Sequence, residues 1–263
     1  MLGSLIKYEF KATYKMFFIL YAFVMLLGCI NRFLFNFQES VDVISDYTYS
    51  FSSQEIALIT FIAIYVILVI TVIVLTIYMI IKRFYSNLFG DEGYLMNTLP
   101  VMPWQNILSK FIVAVVWLFL GGIVCLTSVV ILVTHEMDIQ TFVEKLFEAF
   151  TSIDVKEWKI ILNFFVSVIT EQFANIMIIY CSISLGQLFN KHRKLAAFGS
   201  FVGITTCISV ITSSLASFIF MENMDFIGKL NTGLVFGTIT NLFILIIMFF
   251  ITNYIVKNKL NLE

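Results

Sequence analysis

The chain alternates six long apolar runs with shorter polar stretches. The runs cover roughly residues 16–36, 57–81, 111–133, 160–186, 195–219 and 233–256. As helices rising about 1.5 Å per residue, each is long enough to cross about 30 Å of hydrocarbon. The runs are continuous and do not alternate at period two, which excludes a transmembrane barrel. The pattern predicts an all-α polytopic membrane protein, with six transmembrane helices in one transmembrane domain over 1–263 and no separate soluble domain.

Two polar stretches carry patterns of their own. In "MLGSLIKYEFKATYK", Lys7, Lys11 and Lys15 recur at i, i+4, with Leu2, Leu5, Ile6 and Phe10 largely on the other side. That spacing predicts an N-terminal interfacial helix held at anionic headgroups, the alternative being a plain basic flank. Segment 134–159 contains "MDIQTFVEKLFEAF", with Ile139, Phe142, Val143, Leu146, Phe147 and Phe150 on one helical face. It reads as an outer amphipathic segment lying on the membrane surface, or as a gate or cap over a cavity.

Composition agrees. Of 263 residues 60% are hydrophobic and only 13% charged, where a soluble domain has roughly 25% charged. The net charge of −1 conceals an asymmetry. Lys7, Lys11, Lys15, Lys82, Arg83, Lys110, Lys191, Arg193, Lys194, Lys257 and Lys259, eleven of the 16 basic residues, fall on one side of the span pattern. Only Glu9, Asp91, Glu92 and Glu263 accompany them. The positive-inside rule then predicts cytoplasmic termini. Cys29, Cys125, Cys181 and Cys207 lie inside apolar runs with no CxxC pair, which fits buried reduced thiols and neither disulfides nor metal ligands. The first run lacks a small-residue cleavage site and is expected to be an uncleaved span.

The connection from 82 to 110 is long for a turn and chemically unlike the rest. It holds both prolines, Pro100 and Pro103, together with Gly90, Asp91, Glu92 and Gly93. Asp91 suits the N-cap of a short helix through "EGYLMNTL", Pro100 stops it, and Pro103 suits the first turn of the next element. Tyr94, Leu95, Met96 and Leu99 would be its apolar knobs, placed to dock onto something in the cytoplasm.

"NLFGDEGYLMNTLPV", followed by "WQNILSK" leading into a span, resembles the cytoplasmic loop of ABC-2-type permease subunits from Gram-positive bacteria. The six-span layout is similar throughout. The resemblance implies a coupling helix between spans 2 and 3, with Gly90, Asp91, Glu92, Gly93, Tyr94, Leu95, Met96, Leu99 and Pro100 forming the contact to the ATPase. It further implies separate cytoplasmic ABC ATPase subunits that bind ATP and magnesium, and a second permease subunit as partner in a homo- or heterodimer. The expected location is a bacterial plasma membrane. One departure is that "FMENMDFIGKLNT" is too short for the re-entrant hairpin many members carry between spans 5 and 6.

The chain has no GxxxxGK[ST] phosphate loop, no HExxH and no GxSxG. The expectation is therefore no catalytic residue, no metal, no cofactor of its own and no nucleic-acid partner. Within the spans the charge that stands out is Glu171. Ser167, Glu171 and Asn175 recur at i, i+4 on span 4, with Ser182 read as nearby on the same face. An intramembrane carboxylate marks a cavity or pathway unless it merely sits wet near the outer end. Span 5 carries Thr205, Ser209 and Thr212 along one face. Gly199/Gly203 and Gly233/Gly237 have the spacing that brings helices close. The expected function is the membrane-spanning subunit of an ATP-driven exporter of a lipophilic or amphipathic substrate, such as an antimicrobial peptide, drug or lipid. A non-transporting immunity or sensor subunit and an intramembrane enzyme are the alternatives.

Overall fold

A computed structural model describes residues 2–42, 53–90, 101–133, 139–189, 191–219 and 225–259. These form α1 (Leu2–Asp42), α2 (Ser53–Phe89), α3 (Pro103–Val133), α4 (Ile139–Ser152), α5 (Val155–Gly186), α6 (Arg193–Ile219) and α7 (Phe226–Asn258). Six of them, all but α4, are long and apolar enough to cross a membrane. The protein is an all-α, multi-pass membrane protein.

The helices overrun the apolar runs at most ends, because a helix continues as long as its backbone bonds can be met, whatever the polarity of its side chains. The interfacial stretch is helical from Leu2 and joins the first span without a break. α2 continues through Lys82 and Arg83 to Phe89, and α3 begins at Pro103, where a missing N–H costs nothing. Lys110 thus sits inside α3 and is buried at 3% exposure, not spread on a membrane flank. α5 starts at Val155, five residues before the apolar run, because Asp154 and Glu157 form a reciprocal capping box. α4 is a helix as its periodicity predicts, with Val143, Phe147 and Phe150 exposed.

The chain forms two compact units: Tyr8–Tyr78 with Val116–Ser152, and Met1–Lys7 with Met79–Val115 and Ile153–Glu263. α1, α2 and α3 each supply residues to both.

In the first unit α3 is clasped to α1 by aromatic rings and hydrogen bonds. Trp117 stacks on Phe10 (centroids 4.7 Å apart, planes 11° off parallel) and on Phe17 (4.5 Å, 15°). Its Nε1 donates to Thr13 Oγ1 at 2.9 Å, and Tyr21 Oη donates to the Trp117 carbonyl at 2.7 Å. Gly28 permits close approach one stretch further along, since an added Cβ would lie 3.4 Å from the Ser128 Cβ. The Ser128 hydroxyl also shares a buried hydrogen bond with Tyr65 of α2.

In the second unit α5 is the hub. Its Tyr180 stacks on Phe84 of α2 at 3.9 Å, and its Phe173 meets Phe111 of α3 edge-on at 5.6 Å. Ala174, Ile176, Met177 and Cys181 are buried around it. α6 and α7 both pack on α5 but barely touch each other. The α5–α6 hairpin is closed by Gly186: a Cβ there would lie 2.5 Å from the Ala197 Cβ and 2.7 Å from the Ala197 backbone. The turn passes through His192 in the left-handed region (φ 57), and the His192 carbonyl accepts from the Ala196 N–H to begin α6.

Candidate functional site: a polar cavity on α5, α6 and α7

Because α6 and α7 both hold to α5 and barely to each other, the second unit forms an open cavity of about 580 Å³. α5 supplies Ser167, Glu171 and Asn175. α6 supplies Thr205, Ser209, Thr212 and Ser213, and α7 supplies Gly233, Gly237, Thr240 and Asn241. Glu171, Asn175 and Ser209 are exposed to it. The stripe from Ser167 to Ile178 extends roughly 16 Å at 1.5 Å per residue. Two polar faces read separately from the sequence, on spans 4 and 5, therefore line one cavity.

Five of the six lining hydroxyls are committed in one direction. Thr205 donates to the Phe201 carbonyl, Ser209 to Thr205 and Thr212 to Ile208, each at 2.8 Å, while Ser213 donates to Val210 and Thr240 to Phe236 at 3.0 Å. A hydroxyl has one proton and two acceptor positions, so a side chain bonded back to its own helix keeps only acceptors to present. Together with the Glu171 carboxyl group, the walls are rich in acceptors. The donors they offer are the amides of Asn175 and Asn241 and the Ser167 hydroxyl. No Lys, Arg or His is among the described lining residues.

Towards the start of α5, α7 is joined to it where Asn163 Nδ2 donates to Asn231 Oδ1 at 2.6 Å and where Gly237 faces the Ser167 hydroxyl. Towards the end of α5, α7 closes on it at Cys181 and Thr252, both wholly buried. On the other side of the α6–α7 gap lies a second cavity of about 600 Å³, an apolar groove. Ile208, Thr212, Thr240 and Ile244 line both.

Other sequence expectations fare differently. Ser182 shares the helical face of the stripe, nearly two full turns beyond Asn175, but does not line the cavity: it is buried and donates to the Ile178 carbonyl at 2.7 Å, at the end of α5 where α7 closes on Cys181. Gly199 and Gly203 have open space where a Cβ would sit, so that GxxxG packs nothing among the described residues. The glycine that brings α6 close is Gly186, which the sequence reading missed. Asn241 was also missed, although Gly233, Gly237 and Asn241 repeat at the same i, i+4 spacing as Ser167, Glu171 and Asn175. Gly90 ends α2: its N–H reaches the Tyr85 and Ser86 carbonyls, and a Cβ would lie 2.7 Å from the Ser86 oxygen. Asp91, Glu92, Gly93, Tyr94, Leu95, Met96, Leu99 and Pro100 lie outside the described residues.

Comparison with protein-family models, with curated proteins and with solved structures returns no match to this chain.

Proposed function

We propose that the chain is the membrane-spanning permease subunit of an ATP-driven exporter of the ABC-2 type, working in a bacterial plasma membrane with both termini in the cytoplasm. The observation that carries the reading is a cavity lined by Glu171, Asn175 and hydroxyl acceptors in the midst of apolar membrane-spanning helices. Polar and ionisable groups are costly there, and they are accommodated by a watery pathway or by a substrate. The exposure of the Glu171 face also favours a second permease subunit beside it, since hydrocarbon is a poor neighbour for such a wall.

The chain's own sequence offers no phosphate-binding loop, so the energy of ATP would enter through a partner. The segment 91–100, by its resemblance to a coupling helix, is the element that would receive it. Movement of that segment would be passed to α2 and α3, which flank it in the chain at Gly90 and Pro103.

The test is isolation of the tagged chain from its native host in mild detergent. An ATP-binding cassette protein should accompany it, and the complex should hydrolyse ATP. Tyr94→Ala combined with Leu95→Ala should loosen that partner or uncouple hydrolysis from export, because interface energy concentrates in a few buried apolar anchors worth roughly 1–4 kcal/mol each. Insertion should be normal, since no span is altered. A chain that exports or hydrolyses ATP without any second polypeptide would overturn the proposal.

A further inference from the structure

We infer that the polar cavity and the apolar groove are two compartments of one site for a cationic amphiphile. Its amine, ammonium or guanidinium head would lie against Glu171, and its hydrocarbon body would pass between α6 and α7. As a substrate class, this deepens the exporter reading and rests on it.

Three observations on the same helices converge. The first is the sign of the polar compartment. Five hydroxyls spend their protons on their own helices, and among the described lining residues Glu171 is the one ionisable group and none is a cation. A donor-rich cation complements such a wall, whereas a phosphate or carboxylate would meet acceptors and a like charge. In a site surrounded by hydrocarbon the field of a single carboxylate is felt far more strongly than in water.

The second is continuity. The groove of about 600 Å³ is not a separate dent, for Ile208, Thr212, Thr240 and Ile244 belong to its wall and to the cavity's. The third is the packing that keeps the passage open: α6 and α7 each hold to α5 and scarcely to one another. Gly203 and Cys207 on α6 face Phe243 and Ile247 on α7 across the groove.

The energetics divide accordingly. A tail moving from lipid into the groove exchanges hydrocarbon for hydrocarbon and gains little, because there is no hydrophobic drive between apolar groups inside a bilayer. The groove sets register and length. The head sets selectivity. Affinity should therefore respond strongly to the charge of the head and weakly to an added methylene.

The experiment uses the full chain in phosphatidylcholine nanodiscs and three spin-labelled amphiphiles with identical chains, bearing primary ammonium, hydroxyl or sulfate heads. Electron spin resonance reads the fraction of each that is motionally restricted by the protein. The ammonium probe should be preferred over the sulfate probe by about tenfold or more, equivalent to about 1.4 kcal/mol. Glu171→Gln should reduce that preference at least fivefold. Ile211→Trp, which fills the groove, should lower restriction of the ammonium probe while guanidinium, which has no tail, still binds by equilibrium dialysis.

Equal restriction of all three probes, or a preference that survives Glu171→Gln, would overturn the inference. So would an Ile211→Trp chain that changes its oligomeric state without losing the probe, for then a second copy covers the groove. None of these measurements needs ATP. A complex that hydrolyses ATP but shows no head preference removes this inference alone. A chain that selects the cationic head but never associates with an ATPase removes the exporter reading alone.

Discussion

The clasp between α1 and α3 and the cavity on α5, α6 and α7 are built from similar residue types to opposite ends. In the clasp, the polar atoms of Thr13, Tyr21 and Trp117 meet one another and the backbone, and stacked rings cover them. In the cavity, Ser209, Thr212 and Thr240 satisfy only their protons, and Glu171 and Asn175 face open space. A polar group in a membrane helix is thus not informative by its type alone. What matters is whether the protein itself uses up its bonding capacity. The clasp does, and reads as structure. The cavity leaves acceptors over, and reads as a place for something else.

The largest effect should come from breaking the clasp. Trp117 is 5% exposed, stacks on two rings and holds Thr13. Trp117→Ala removes those contacts and leaves a cavity, a change worth about 3–5 kcal/mol in a packed core. Thermal unfolding of the purified chain in one detergent should show a large fall in midpoint. A midpoint close to wild type would mean that the clasp is incidental, and the contrast drawn above would fail on its structural side.

Gly186→Ala should follow, with a smaller cost. The added methyl collides with the Ala197 Cα and N, which are backbone atoms and cannot swing aside as the end of a flexible side chain would. Overpacking of this kind costs about 1–3 kcal/mol. Because the hairpin sets how α6 leaves α5, the same variant should also alter probe binding in the cavity. Gly199→Ala makes the control: it has open space and should leave the unfolding midpoint unchanged. If the two alanines behaved alike, the tight α5–α6 approach would not be what shapes this unit.

These two glycines also show how far the sequence could be read. Six spans, the amphipathic helix now α4 and the Ser167–Glu171–Asn175 stripe were legible because each is a pattern at helical period within one segment. The faces of spans 4 and 5 were likewise legible one at a time. That they line one cavity was not, because it depends on α6 and α7 both holding to α5 and barely to each other, and no local spacing records that. Gly199 and Gly203 carry the spacing of a packing motif yet meet nothing described, while Gly186 carries no motif and makes the closest approach. Helix ends lie beyond the apolar runs for a related reason. Polarity marks where lipid ends, whereas Pro103 and the Asp154–Glu157 box mark where backbone bonding begins.

The smallest expected effect on stability sharpens the comparison most. Glu171 is exposed to the cavity and borders open space instead of a packed neighbour. Glu171→Gln keeps the volume and removes the acid, so nothing in the packing changes. Substitutions at such positions move stability by no more than about 0.5 kcal/mol. The unfolding midpoint of the empty chain should therefore match wild type, even as head-group preference falls. A cationic amphiphile added at saturation should raise the wild-type midpoint through linkage, because it binds only the folded chain, and should raise the variant's much less. The pair of curves separates the two uses of polarity at a single residue. If Glu171→Gln unfolded several degrees lower with no ligand present, its carboxyl group would be serving the fold, as Thr13 serves the clasp, and the cavity would lose its claim to be a site.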